Sequence, residues 1–135
     1  MADKRTILYI EDDPGSQILV QRTLSFAGYH VVVASRGIEG LDMAHQHIPD
    51  LILMDINLPE LDGLAATRRI RDLEALREVP VVAVTAFGTE GFQRAAYDVG
   101  VDGYLTKPID MDRMHQLIAR LLSAGESGKL PSQSF

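Results

Sequence analysis

Four short runs hold the residues whose types could do chemistry together: Glu11-Asp12-Asp13, Asp55 with Ile56 and Asn57, Thr85-Ala86, and Thr106-Lys107-Pro108. Carboxylates gathered at one place repel, so some must protonate or a cation must sit among them. Ligands that are all oxygen, with no His or Cys nearby in sequence, favour a hard divalent ion. Mg²⁺ fits better than zinc, and Mn²⁺ is an acceptable substitute. A carboxylate beside that ion, a hydroxyl and a lysine can accept a phosphoryl group as an aspartyl phosphate. The ion and the lysine would neutralise phosphoryl oxygens during in-line transfer, and the hydroxyl would hydrogen-bond one of them. Each signal alone has a plainer reading. Asp13 before Pro14 reads as a helix N-cap, a Thr after a strand as structural, and Lys-Pro as a turn. The weight lies in their joint placement.

That placement depends on the elements between the runs. Short apolar segments at 6–10, 30–34, 51–54, 79–84 and 102–105 read as strands. Residues 51–54 and 81–84 are apolar without alternation, as in strands covered on both faces. Five segments of helical periodicity alternate with them. Their stripes are Val20, Leu24 and Ala27, then Ile38, Leu41 and Ile48, then Ala66, Ile70 and Leu73. Phe92, Ala95, Ala96 and Val99 mark the fourth, and Met114, Leu117, Ile118 and Leu121 the fifth. Asp13 with Pro14 opens the first helix, Asp110 can cap the last, and Gly28 and Gly100 stand where helices one and four should stop. From Ala124 the periodicity is lost, so 124–135 is expected to be a flexible tail.

Strict β-α alternation implies an α/β fold: a parallel sheet with right-handed crossovers and helices on both faces. Ligands in such folds bind beyond the carboxyl ends of the strands. All four chemical runs fall there. Only the second strand delivers none of them, ending in Ser35, Arg36 and Gly37.

Composition excludes other classes. The 135 residues carry 13 Lys+Arg against 19 Asp+Glu, a net charge of −6, with pI near 5.1. Nucleic-acid binding wants the opposite sign. With no cysteine there is no disulfide framework, thiol nucleophile or Cys-based metal site. The apolar run at 7–10 is too short for a signal peptide, and no stretch is long enough to span a bilayer. A cytoplasmic single domain without membrane contact is the expectation.

ILYIEDD, DLILMDINLPELDG, VVAVTA and YLTKP resemble the response-regulator receiver domain of two-component and phosphorelay signalling. The motifs follow one another in the family's order and register, and the resemblance covers about residues 6–123. It implies a (βα)5 doubly wound sandwich of flavodoxin-like type, with strand order 2-1-3-4-5. It also implies a stand-alone regulator: a receiver over 1–123, the tail, and no output domain. Asp55 corresponds to the phosphoacceptor. Glu11 and Asp12 correspond to the acidic pair that holds Mg²⁺, Asp12 directly and Glu11 through water, and the backbone carbonyl of Asn57 corresponds to a further ligand. Because three acids stand in a row, Asp12 and Asp13 are the alternative pair. Thr85 corresponds to the switch hydroxyl, Tyr104 to the aromatic that swings inward with it, and Lys107 to the lysine that pairs with phosphoryl oxygens. Pro108 corresponds to a commonly cis proline. Asn57, Ala86, Phe87 and Pro108 flank the phosphoryl site, where a large apolar Phe87 would shield the acyl phosphate.

The resemblance further implies partners: a sensor histidine kinase or histidine phosphotransfer protein upstream and a protein target downstream. A dimer formed on phosphorylation is kept open. Two competing readings share these residues. Haloacid-dehalogenase-type phosphohydrolases use a similar set but need a second aspartate two residues after the nucleophile, where this chain has Asn57. An unphosphorylated scaffold would normally lack an acceptor, acid or lysine, and none is missing. The histidines read as bland: His45 and His47 point in different directions on a helix, and none has partner ligands beside it. Arg68, Arg69 and Arg71 read as a solvated helix face.

Overall fold

A computed structural model describes residues 4–58, 62–86, 88 and 90–128. Five strands alternate with five helices: β1 (Thr6–Ile10), α1 (Pro14–Phe26), β2 (His30–Ala34), α2 (Gly37–His47), β3 (Leu51–Asp55), α3 (Gly63–Asp72), β4 (Val81–Thr85), α4 (Glu90–Asp98), β5 (Gly103–Thr106) and α5 (Met111–Gly128). A 3-10 turn, Glu74–Leu76, lies between α3 and β4. The strands form one parallel sheet in the order 2-1-3-4-5, as the resemblance implies.

Alternate residues of each buried strand feed two cores. Leu8, Ile10, Ile52, Met54, Val81 and Ala83 meet Ala44, Ala66, Ile70 and Ala96 of α2, α3 and α4. On the other face Ile7, Tyr9, Leu51, Leu53, Val82, Val84 and Leu105 meet Val20 and Leu24 of α1 and Met114 and Ile118 of α5. β3 and β4 are buried along their whole length, which explains why neither alternates in sequence. Each Leu or Ile so buried contributes about 1.5–3 kcal/mol.

Register then decides what shares an edge. Ile10 pairs with Met54, Asp55 with Val84, and Thr85 with Thr106. Main-chain bonds continue one residue beyond the strands, from Glu11 N to Ala34 O (3.0 Å) and Lys107 N to Thr85 O (2.8 Å). The ends of β1, β3, β4 and β5 therefore lie at one edge of the sheet, each stepping out by at most one residue from the strand before it. Their next residues are Glu11, Ile56, Ala86 and Lys107.

Several expectations shift. β3 and β5 each run one residue further than their apolar pattern, to Asp55 and Thr106, while β4 begins at Val81. In α2 the expected stripe holds only at Leu41, which packs against the core. Ile38 and Ile48 are exposed, and the buried face is Gly37, Gly40 and Ala44. A Cβ on Gly40 would stand 2.5 Å from the Ile10 side chain, so the helix packs by its smallest residues, which a hydrophobicity stripe does not register. Ile48 instead ends α2 in a left-handed conformation (φ 44°). The periodicity boundary at Ala124 also fails as a helix end, because α5 continues to Gly128. The rest of the expected tail lies outside the described residues. Asp13, Gly28 and Gly100 do as expected: Asp13 caps α1, and the glycines have φ of 104° and 108°. Among the described residues no helix is long and apolar enough to cross a membrane.

Candidate functional site

The shared edge of the strand ends brings the chemical residues together. One carboxylate oxygen from each of Glu11, Asp12 and Asp55 lies within 4.8 Å of the others. Glu11 and Asp55 are buried, whereas Asp12 is exposed. Lys107 reaches over from the loop after β5. Its Nζ stands 3.0 Å from Glu11 Oε1 and 3.0 Å from Asp55 Oδ2. One ammonium thus serves two carboxylates, and the three acids keep an excess of negative charge. Oxygen-only donors with that excess fit a hard divalent cation.

A buried carboxylate needs partners. Glu11 has three: the Tyr9 hydroxyl donates to Oε1 at 3.0 Å, Lys107 meets the same oxygen, and the Asp13 N–H donates to Oε2 at 3.2 Å. Burial still prevails and pushes the Glu11 carboxyl up, opposed by Lys107 and reinforced by the Asp55 charge. Partial burial pulls the Lys107 ammonium down, but its bonds to Asp55 and Glu11 together outweigh that and raise it. Burial likewise raises the Tyr9 phenol, helped by the charge of Glu11, so it stays a protonated donor.

Asp55 is anchored from its own chain. The Asn57 N–H donates to Oδ1 at 2.8 Å, leaving Oδ2 to Lys107. The turn that supplies this N–H depends on Gly63. Asn57 bridges Asp62 in antiparallel fashion, and a Cβ on Gly63 would lie 2.4 Å from the Ile56 Cα. Only a glycine lets α3 start so close to the strand end. Asp62 caps that helix, its carboxylate accepting from Leu64 N at 2.9 Å.

Thr85, fully buried, donates its hydroxyl to Asn57 Oδ1 at 2.8 Å. Tyr104 is buried too, and its phenol is pushed up by desolvation and by Tyr97, with a hydrogen bond to Thr85 acting the other way. The Tyr97 and Tyr104 rings lie 6.5 Å apart at 33°. A connected path therefore runs from half-exposed Tyr97 on α4 through Tyr104, Thr85 and Asn57 to Asp55.

Other residues separate out. Asp13 spends Oδ2 on the Ser16 N–H and hydroxyl, both at 2.8 Å, and these bonds hold its carboxyl below the ordinary range. It stands outside the acidic cluster, so the geometry favours Glu11 with Asp12 over Asp12 with Asp13. The Lys107–Pro108 peptide is cis. Ala86 is exposed beside Thr85, while Phe87 lies outside the described residues. No histidine joins an acidic or histidine cluster among the described residues. Arg71 overturns the solvated-face reading. Its guanidinium donates to the carbonyls of Gly100, Leu76, Arg77 and Val79 and pairs with Asp102 at 2.6 Å. Arg68 and Arg69 are exposed as expected. Two residues near the acids went unnoticed in the sequence. Tyr9 shares a strand face with Glu11 at a spacing of two, a signal that was available. Gln17, whose amide donates to Glu11 O and to Ser35 Oγ, carried none.

Five parallel strands in this order, with acids and a lysine at their carboxyl ends, define a doubly wound domain with an acidic edge that could hold a cation. The chain belongs to the response regulator receiver domain family, whose model matches residues 7–119. It is similar to the polar-differentiation response regulator DivK of Brucella ovis, at 38% identity over 87% of this chain and 96% of that protein. Among solved structures it is similar to the receiver domain of sensor histidine kinase PA1611 from Pseudomonas aeruginosa PAO1, which has a magnesium ion coordinated in its active site cleft. That likeness has 35% identity, a TM-score of 0.82, and covers 90% of this chain and 99% of that one. The CheY-like receiver domain protein of Methanospirillum hungatei JF-1 matches with a TM-score of 0.86 and 25% identity, over 93% of this chain and 98% of that one. As a class, such receivers are signalling switches.

Proposed function

We propose that this receiver is a phosphorylation switch in which Asp55 takes a phosphoryl group from a histidine kinase or histidine phosphotransfer protein. The observation that carries the reading is Asp55 Oδ2 at 3.0 Å from Lys107 Nζ inside a cluster of three acids. The carboxylate oxygen attacks phosphorus in line, a new P–O bond forms, the P–N bond of the phosphohistidine breaks, and its electron pair leaves on the imidazole. Glu11, Asp12, Asp55 and the Asn57 carbonyl would hold Mg²⁺ or Mn²⁺. The bound ion supplies positive charge against the phosphoryl oxygens. Lys107 leaves Glu11 to pair with the new phosphoryl group. Thr85 gives up Asn57 for a phosphoryl oxygen, and Tyr104, hydrogen-bonded to Thr85, follows it. The surface around residues 86–105 and α5 would then meet the downstream protein, or a second copy of the chain.

Asn57 in place of a second aspartate, and Asp55 at the end of the third strand rather than the first, speak against a phosphohydrolase. Incubation with Mg²⁺ and acetyl phosphate is expected to add one phosphoryl mass that is stable in acid and labile in base. Asp55→Asn should abolish it. Steady turnover of unrelated phosphate monoesters would instead support a hydrolase, and an unlabelled wild type a scaffold.

A further inference from the structure

Tyr9 is completely buried in the core between the sheet and α1 and α5, among Leu53, Val84, Leu105 and Met114. A phenylalanine would serve that packing equally well. The hydroxyl is the exception to the apolar setting, and a buried phenol needs a hydrogen-bond partner. Its partner is Glu11 Oε1, 3.0 Å away, on the oxygen that Lys107 Nζ also approaches at 3.0 Å. Of the three groups holding Glu11, Lys107 is shared with Asp55, and the Asp13 N–H bonds the other oxygen at 3.2 Å. The donor fixed in the packed interior is Tyr9.

We infer that Tyr9 is a positioning residue of the acidic edge: its hydroxyl holds Glu11 in its cation-ready orientation from beneath, which lets Lys107 turn to Asp55 without leaving Glu11 Oε1 bare. This deepens the proposed function and rests on the reading of Glu11, Asp12 and Asp55 as a cation site. Groups that orient a metal's ligands, or the residues that hold its bound water, typically govern affinity by ten- to a hundredfold when removed. A packing role alone predicts no such selectivity.

The test is Mg²⁺ affinity by calorimetry on the full chain with no phosphodonor present, comparing wild type, Tyr9→Phe, Glu11→Gln and the double variant. Tyr9→Phe is expected to melt cooperatively and to bind Mg²⁺ about tenfold more weakly. In the Glu11→Gln background the same change should alter affinity no further, because the hydroxyl acts through that carboxylate. Equal affinity of wild type and Tyr9→Phe overturns the inference and leaves the cation site standing. An equal loss in both backgrounds also overturns it, since that is the signature of disturbed packing. A wild type that binds no Mg²⁺ overturns the site reading and this inference together. Where Tyr9→Phe fails to fold, the Tyr9 Cζ resonance in tyrosine-labelled wild type decides. It should move on Mg²⁺ addition and lose that response in Glu11→Gln, and a resonance indifferent to Mg²⁺ counts against the role.

Discussion

Lys107 and Glu11 show how single residues are tuned against their solvent. Burial raises the Glu11 carboxyl above its ordinary 4.5, so the folded protein holds that proton more tightly than the unfolded chain. Stability linked to this group is fully present below 4.5 and is lost as pH rises through the folded value. Lys107, raised from its ordinary 10.5, loses its contribution only above that value, outside the window. Glutamine at position 11 cannot ionise. Without divalent cations, the stability of Glu11→Gln relative to wild type should therefore improve as pH rises from about 4 towards neutrality. Urea midpoints measured across that range check this, and a difference that stays flat or moves the other way would refute the buried-carboxylate account. At the same scale, the clustering of Glu11, Asp12, Asp55, Thr85 and Lys107 was legible because each is a chemically distinctive side chain at a strand end. Tyr9 was harder to see, since an aromatic in a β-strand is ordinary until its hydroxyl is placed on Glu11.

Elements are held by contacts that periodicity does not encode. Arg71 ties the end of α3 to the turn before β4 and to the loop before β5, where Asp102 also accepts from the Val81 N–H at 2.9 Å. Removing the guanidinium takes the donor at 2.8 Å from the carbonyl of buried Val79, whereas the Leu76 carbonyl keeps the Val79 N–H at 3.1 Å. Arg71→Ala should cost about 2–3 kcal/mol in denaturant unfolding, because hydrogen bonds from charged donors to such groups are the stronger kind. Arg69→Ala, on an exposed side chain, should stay within about 0.5 kcal/mol. Equal effects would contradict the clasp. The three arginines look alike in sequence, and only the chain's return at residues 100–102 distinguishes one of them. α2 teaches the complementary lesson. Its expected stripe keeps only Leu41, because Gly40 and Ala44, not Ile38 and Ile48, are buried beside it. The alternation of strands and helices was legible throughout, since β3 and β4 are bare apolar runs and Asp13, Gly28 and Gly100 punctuate the helices.

At the scale of the whole molecule, the sheet separates a packed interior from a charged rim. Two cores fix the strands, and their register gathers Glu11, Asp55, Thr85 and Lys107 at one edge. Part of the −6 net charge is concentrated there, where the proposed cation would offset it. Mg²⁺ at a hundredfold its dissociation constant should thus stabilise the chain by about 2.7 kcal/mol. Thermal melts with and without Mg²⁺ should show that gain in wild type and its loss in Asp12→Ala, and a gain that survives the substitution would place the ion elsewhere. The proposed function has this edge directing phosphorylation to one carboxylate. Labelling with acetyl phosphate and Mg²⁺, reducing the acyl phosphate with borohydride and mapping the product by peptide mass spectrometry identifies that carboxylate. Conversion of residue 55 to homoserine, dependent on Mg²⁺, is the predicted result. Conversion at Asp12 or Asp13, or label retained by Asp55→Asn, would contradict it.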